Sequence, residues 1–145
     1  MNNSQANLLE VKNLSVSFAG AAAPALQGIS FSLQAGEIIG IVGETGAGKS
    51  VLARAIIDML PGTGRVSDGE VVVNGKAISA MTSAEKRALR GAGVALIGTN
   101  AKALLDPVVK VGEQIARVLR AHRGISKAES VSYTHLRAHE TGRNL

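Results

Sequence analysis

The stretch GETGAGKS, Gly43–Ser50, carries residue types that could hold a chain of phosphates. It fits the pattern G-x-x-x-x-G-K-[ST], and each position has a chemical reason. Gly43 turns the backbone sharply, and Glu44 and Thr45 fill the variable positions of the loop. Gly46, Ala47 and Gly48 are small enough for successive backbone N–H groups to point inward as an anion nest. Lys49 would reach the β- and γ-phosphates as a point charge. Ser50 offers a hydroxyl to Mg²⁺, and a helix beginning there would add its positive N-terminal end. The chemistry implied is the gripping of a nucleoside triphosphate.

Such a loop needs a strand leading in and a helix leading out, and the flanking residues supply both patterns. Ile38 to Val42 is apolar on both faces, as a central parallel strand is. SVLARAIIDML, Ser50 to Leu60, places apolar residues at 52, 55, 56, 59 and 60, a helical spacing, with Pro61-Gly62 as its stop. Upstream, Leu8 to Phe18 alternates as a strand with one buried face, and ISFSL reads as a second short strand. SDGEVVVNGKAI reads as a hairpin with an Asn-Gly turn. Thr82 and Glu85 form a capping box that opens a helix to about Arg90. Gly93 to Ile97 is an apolar strand candidate. Gly112 to His122 is a helix with Ile115, Val118, Leu119 and His122 on one face, and Ser126 and Glu129 form a second capping box.

Composition narrows the class. The 145 residues are 46% hydrophobic but only 2% aromatic, so the core must be built from Val, Ile, Leu and Ala. The net charge of +5 is spread along the chain without a basic run or stacking aromatics, which argues against a nucleic-acid partner. There is no cysteine, so disulfides and thiolate metal sites are excluded. MNNSQANLLEVKN lacks the basic start and apolar stretch of a signal peptide, and no apolar run approaches the ~20 residues of a membrane helix.

Taken in order, LLEVKNLSVSF, ALQGISFSLQAGEIIGIVGETGAGKSVLARAIIDML and GEVVVNGKAISAMTSAEKRALRG resemble the ATP-binding subunits of ABC transporters. TSAEKRALRG and DPVVKVGEQI are similar to the branch serving importers of di- and oligopeptides, nickel and related solutes. The resemblance implies an α/β P-loop NTPase of ABC type, with a mixed sheet and an antiparallel β subdomain, truncated where a helical subdomain starts. It implies residues 1–97 as the P-loop core with that β subdomain, and 98–130 as the glutamine-loop segment with the start of the helical subdomain. ATP and Mg²⁺ follow as cofactors. Permease subunits and a second ATP-binding subunit follow as partners, with a solute-binding protein acting indirectly, at the cytoplasmic face of the membrane. Phe18 matches the aromatic residue that stacks on adenine. Val51 stands where the family usually has Thr, which removes a hydroxyl contact to the α-phosphate and keeps the backbone N–H.

Gapless alignment back from DPVVKVGEQI puts Thr99 at the position of the family's glutamine, with Asn100 one place off. Thr99 is too short for the reach to Mg²⁺ and the attacking water that the resemblance assigns to that glutamine. No LSGGQ-like helix start, acidic strand end or switch histidine follows, so the chain is expected to bind nucleotide without hydrolysing it alone. The alternative reading is a soluble ABC-type ATPase with no membrane partner; a P-loop kinase or GTPase suits the hairpin at 66–78 less well. Finally, Val131–Leu145 holds the only Tyr and two of the three His. VSYTHLRAHET resembles the in-frame translation of a transposase-type sequencing-library adapter, with a variable index over Thr141–Asn144, so 131–145 is expected to be non-native. His135 and His139, with Glu140 beside them, have metal-pair spacing but no third ligand, and zinc is not expected there. His122 is expected to pack.

Overall fold

The computed structural model describes residues 7–98, 105–126 and 128–132. The chain divides at Arg90/Gly91 into two units.

The first unit is built on a four-stranded sheet in the order β2-β1-β3-β4, comprising β1 (Leu9–Phe18), β2 (Leu26–Leu33), β3 (Gly64–Val73) and β4 (Lys76–Ala77). Every pairing is antiparallel. The alternation of β1 is interrupted once: Val11, Leu14 and Val16 are all buried although Val11 and Leu14 are an odd number of residues apart. Asn13 supplies the extra residue, with φ 47, and the register slips there against both neighbouring strands. A bulge of this kind re-phases the strand so that one apolar face stays on the core. The flanking strands accommodate it with glycines. A Cβ on Gly28 would touch the Asn13 side chain, and one on Gly69 would run into the carbonyls of Lys12 and Asn13.

The expected Asn-Gly hairpin joins β3 to β4, with Asn74 and Gly75 at φ 49 and 77, the double positive φ of a type I′ turn. Helix α1 (Lys49–Ile56) packs Leu52 and Ala55 inward against β1 and β3. A 3₁₀ turn at Ile78–Ala80 then buries Ile78 and leads to α2 (Ser83–Ala88). The capping box of α2 is complete: the Thr82 Oγ1 accepts from the Glu85 N–H at 3.3 Å, and the Glu85 Oε2 accepts from the Thr82 N–H at 2.8 Å.

Three sequence expectations are corrected. Ile38 to Val42 forms no strand; Ile38 is 97% and Val42 93% exposed. A central parallel strand exists only with ladders on its edges, and no strand of the described sheet pairs with this run. Gly93 to Ile97 also forms no strand: a π-helical turn over Leu89–Gly93 takes its first residue, and Val94 makes only an isolated bridge. The mixed sheet is thus represented among the described residues by its antiparallel part. The third correction concerns α1, which stops at Ile56 rather than Leu60: Asp58 turns left-handed at φ 54 before Pro61-Gly62 is reached.

In the second unit, α3 (Val111–Arg123) ends on Gly124 in the left-handed conformation, a usual helix stop. Its buried contact is Ala116, while Ile115 and Val118 remain about half exposed. Gln114 folds back to the preceding turn, donating to the carbonyls of Asp106 and Val109. The second capping box forms, Ser126 and Glu129 exchanging bonds of 2.9 and 3.2 Å, and residues 128–132 are helical. The helix therefore carries through positions 131 and 132, and the rest of the segment read as non-native, with His135, His139 and Glu140, lies outside the described residues. Among the described residues no helix is long and apolar enough to cross a membrane.

Candidate phosphate-binding site

Two glycines with φ 90, Gly46 and Gly48, bend GETGAGKS into a closed loop. Positive φ strains any L side chain, and Gly48 has a second constraint. It is buried, and a Cβ there would stand 2.7 Å from both the Ala25 carbonyl oxygen and Leu26 Cδ2. The loop is therefore seated directly on the entry to β2. Leu26 pairs with Val16, and the Ala25 N–H donates to the Val16 carbonyl at 2.7 Å, so the seat belongs to the same sheet that carries Phe18.

Gly48 is the N-cap of α1, and no side chain caps that helix. Its carbonyl accepts the first helical bond, from the Leu52 N–H at 2.9 Å. The N–H groups at Lys49, Ser50 and Val51 thus open the helix without intrahelical partners, a positive end able to meet an anion. Within the loop, the Ala47 N–H instead closes a turn onto the Glu44 carbonyl at 3.1 Å. The nest expected from Gly46, Ala47 and Gly48 is in this respect altered, since the Ala47 donor is taken by the Glu44 carbonyl of the same loop.

Lys49 folds back over the loop, and its Nζ donates to the carbonyls of Gly43 and Glu44, each at 2.7 Å. An ammonium has three donors, so one remains for an outside acceptor. Thr45, Gly46, Gly48, Lys49, Ser50 and Val51 line an open concavity of about 350 Å³. Ser50 is exposed there on the first turn of α1, beside Lys49. The site thus combines one cation, free helix N–H groups and the hydroxyls of Thr45 and Ser50, a set suited to a chain of phosphates with a hard cation. Among the described residues no group of His, Asp and Glu could by itself hold a metal ion.

Phe18 is not part of the concavity's lining. It ends β1 half-buried, two residues past Val16, and pairs with Gly64. Thr99 lies outside the described residues, as does Asn100. His122 is exposed by area, yet its ring lies on Gly91, where a Cβ would stand 2.6 Å from Nε2.

Sequence reasoning missed the far end of α1. Arg90 donates from Nε to the Ile57 carbonyl at 2.9 Å and from Nη2 to the Asp58 carbonyl at 2.7 Å. Its Nη2 and Lys86 Nζ also lie 3.2 and 2.9 Å from Asp58 Oδ2. Two cations thus bind the negative end of the helix whose positive end opens the phosphate loop. The separation of 32 residues between Asp58 and Arg90 leaves no local pattern to find.

The sequence profile of the ABC transporter family matches residues 26–145. The chain belongs to the ABC transporter family. Among its ABC relatives, the oligopeptide transport ATP-binding protein OppD of Salmonella typhimurium is 40% identical over 125 residues, 85% of this chain and 37% of that protein. The proteins of Bacillus subtilis named for oligopeptide transport, OppD, and for dipeptide transport, DppD, are 40% and 37% identical, each over 83% of this chain. The chain spans 34–37% of the length of these ABC relatives.

Proposed function

We propose that this chain is the nucleotide-gripping part of an ATP-binding subunit of an ABC importer, one that takes up a di- or oligopeptide, nickel or a related solute. The observation that carries the reading is the loop over α1: Gly48 seated on Ala25 and Leu26, an uncapped helix start, and Lys49 folded across the Gly43 and Glu44 carbonyls. The names of its relatives support the solute class, since they are peptide-transport proteins.

In this reading the triphosphate lies in the concavity. Lys49 meets the β- and γ-phosphates, the helix N–H groups meet the phosphate oxygens, and Val51 contributes its backbone only. The residues fit Mg²⁺ as a shared ligand set, in which Ser50 supplies one oxygen and phosphates and water the others; the ion neutralises phosphate charge when bound. Phe18 stacks on the adenine. Permease subunits and a second ATP-binding subunit complete the assembly at the cytoplasmic face of the membrane.

Titration with a fluorescent ATP analogue tests the reading directly. A charge-assisted hydrogen bond contributes ~1.5–3 kcal/mol, so Lys49→Ala should weaken binding by roughly ten- to a hundredfold. Equal affinity of the two proteins would remove the phosphate assignment.

A further inference from the structure

We propose that Gly64 is a positioning residue for the Phe18 ring, setting its pose and thereby the affinity for the base of a bound nucleotide; this rests on the reading of Phe18 as the adenine platform. Phe18 and Gly64 face each other as the last residue of β1 and the first of β3. A Cβ at Gly64 would stand 2.7 Å from Phe18 Cε1 and 3.1 Å from Cζ, with the Pro61 carbonyl oxygen also at 3.1 Å. The ring therefore lies on the glycine's Cα, in space that any side chain would fill.

The cause of this requirement differs from that at other glycines. Gly48 and Gly69 have positive φ and meet backbone atoms, so a side chain there strains the fold itself. Gly64 has no positive φ, and its nearest obstacle is the far end of a side chain. Its φ does not require glycine at 64; the closest demand comes from the ring, with the Pro61 carbonyl oxygen second at 3.1 Å. An alanine would be accommodated mainly by rotating the ring away, because a phenyl group turns about its side-chain torsions more easily than a paired strand moves.

The backbone around the ring is held independently of it. The Ala19 N–H donates to Thr63 Oγ1 at 3.2 Å, the Gly64 N–H donates to the Pro61 carbonyl at 3.1 Å, and the Ser17 and Ser67 hydroxyls meet at 3.2 Å. A substitution at 64 thus acts first on the angle of the ring and second on the Pro61 carbonyl, while the Ala19–Thr63 and Ser17–Ser67 bonds hold β1 beside β3. Stacking depends on the ring plane, so the consequence falls on base recognition and leaves phosphate recognition alone.

The test compares Mg²⁺-ATP with Mg²⁺-tripolyphosphate, which has the phosphates and no base, on the 145-residue chain and its Gly64→Ala, Phe18→Ala and doubly substituted forms. Calorimetric titration reads the affinities, and circular dichroism melting reads the fold. Gly64→Ala is expected to weaken ATP binding about tenfold, within the range of a lost stacking contact, and to leave tripolyphosphate binding unchanged. In the Phe18→Ala background it is expected to add nothing, since the two residues act through one ring. Wild-type ATP affinity in Gly64→Ala, with a loss in Phe18→Ala, would overturn the proposal and leave the platform standing. No loss in Phe18→Ala would overturn the platform reading and the proposal with it. Equal losses for ATP and tripolyphosphate in Gly64→Ala would also overturn it, by showing a general effect on the fold.

Discussion

Gly46 and Gly48 share a φ of 90, yet they do different work. Nothing lies within 4 Å of a Cβ built on Gly46, whereas one on Gly48 meets the Ala25 carbonyl oxygen and Leu26. Gly46→Ala should therefore cost only the left-handed strain of ~1–2 kcal/mol. Gly48→Ala should cost more than that, because the loop must also lift off β2. Urea denaturation of the two variants gives the ranking, and Gly48→Ala is expected to lose tripolyphosphate binding as well. A second residue-scale effect concerns pH. The Lys76 ammonium, 2.6 Å from the Glu85 carboxylate, and the bonds to Thr82 pull that carboxyl from its ordinary 4.5 to about 2. A folded-state value below the unfolded one means the stabilisation is present in full above 4.5 and is lost as pH falls toward 2. Carbon-13 NMR titration of Glu85 should show the low midpoint, and Lys76→Met should move it upward.

At the scale of elements, α1 depends on what holds its ends. Its eight residues span ~12 Å and are too few to be stable alone. One end rests on β2 through Gly48, and the other is gripped by Arg90 and Lys86 from the segment after the hairpin. Removing Arg90 leaves the Ile57 and Asp58 carbonyls without that partner. Arg90→Ala is expected to lower stability by ~1–2 kcal/mol, at the modest level of partly exposed hydrogen bonds. Arg90→Lys should recover only part of this, since an ammonium on a single carbon stem does not reproduce the planar fork that meets both carbonyls. Hydrogen exchange at the C-terminal turn of α1 checks both variants.

For the molecule as a whole, the concavity offers groups that suit phosphate oxygens. Its lining of Thr45, Gly46, Gly48, Lys49, Ser50 and Val51 contains no carboxylate. Hydrolysis of a triphosphate needs an oriented water and compensation of charge on the transferring group. The 145-residue chain is therefore expected to bind ATP without releasing phosphate. A phosphate-release assay on highly purified chain is the check, with Lys49→Ala as control; turnover that disappears in Lys49→Ala would contradict it.

The sequence by itself determined what is local. The loop GETGAGKS, both capping boxes and the Asn74-Gly75 turn each act over a few neighbouring residues, so their patterns are readable from residue types alone. The Gly48 seat on Ala25 and Leu26, the Phe18 ring on Gly64 and the grip of Arg90 on Asp58 join residues far apart along the chain, and only the tertiary structure decided them. The same reason explains the misread strand. The apolar run Ile38 to Val42 is a local property, but a strand is a relation between backbones, and none of the strands of the described sheet pairs with this run. The end of α1 follows suit, because its stop at Asp58 is stabilised by a guanidinium arriving from the other side of the hairpin.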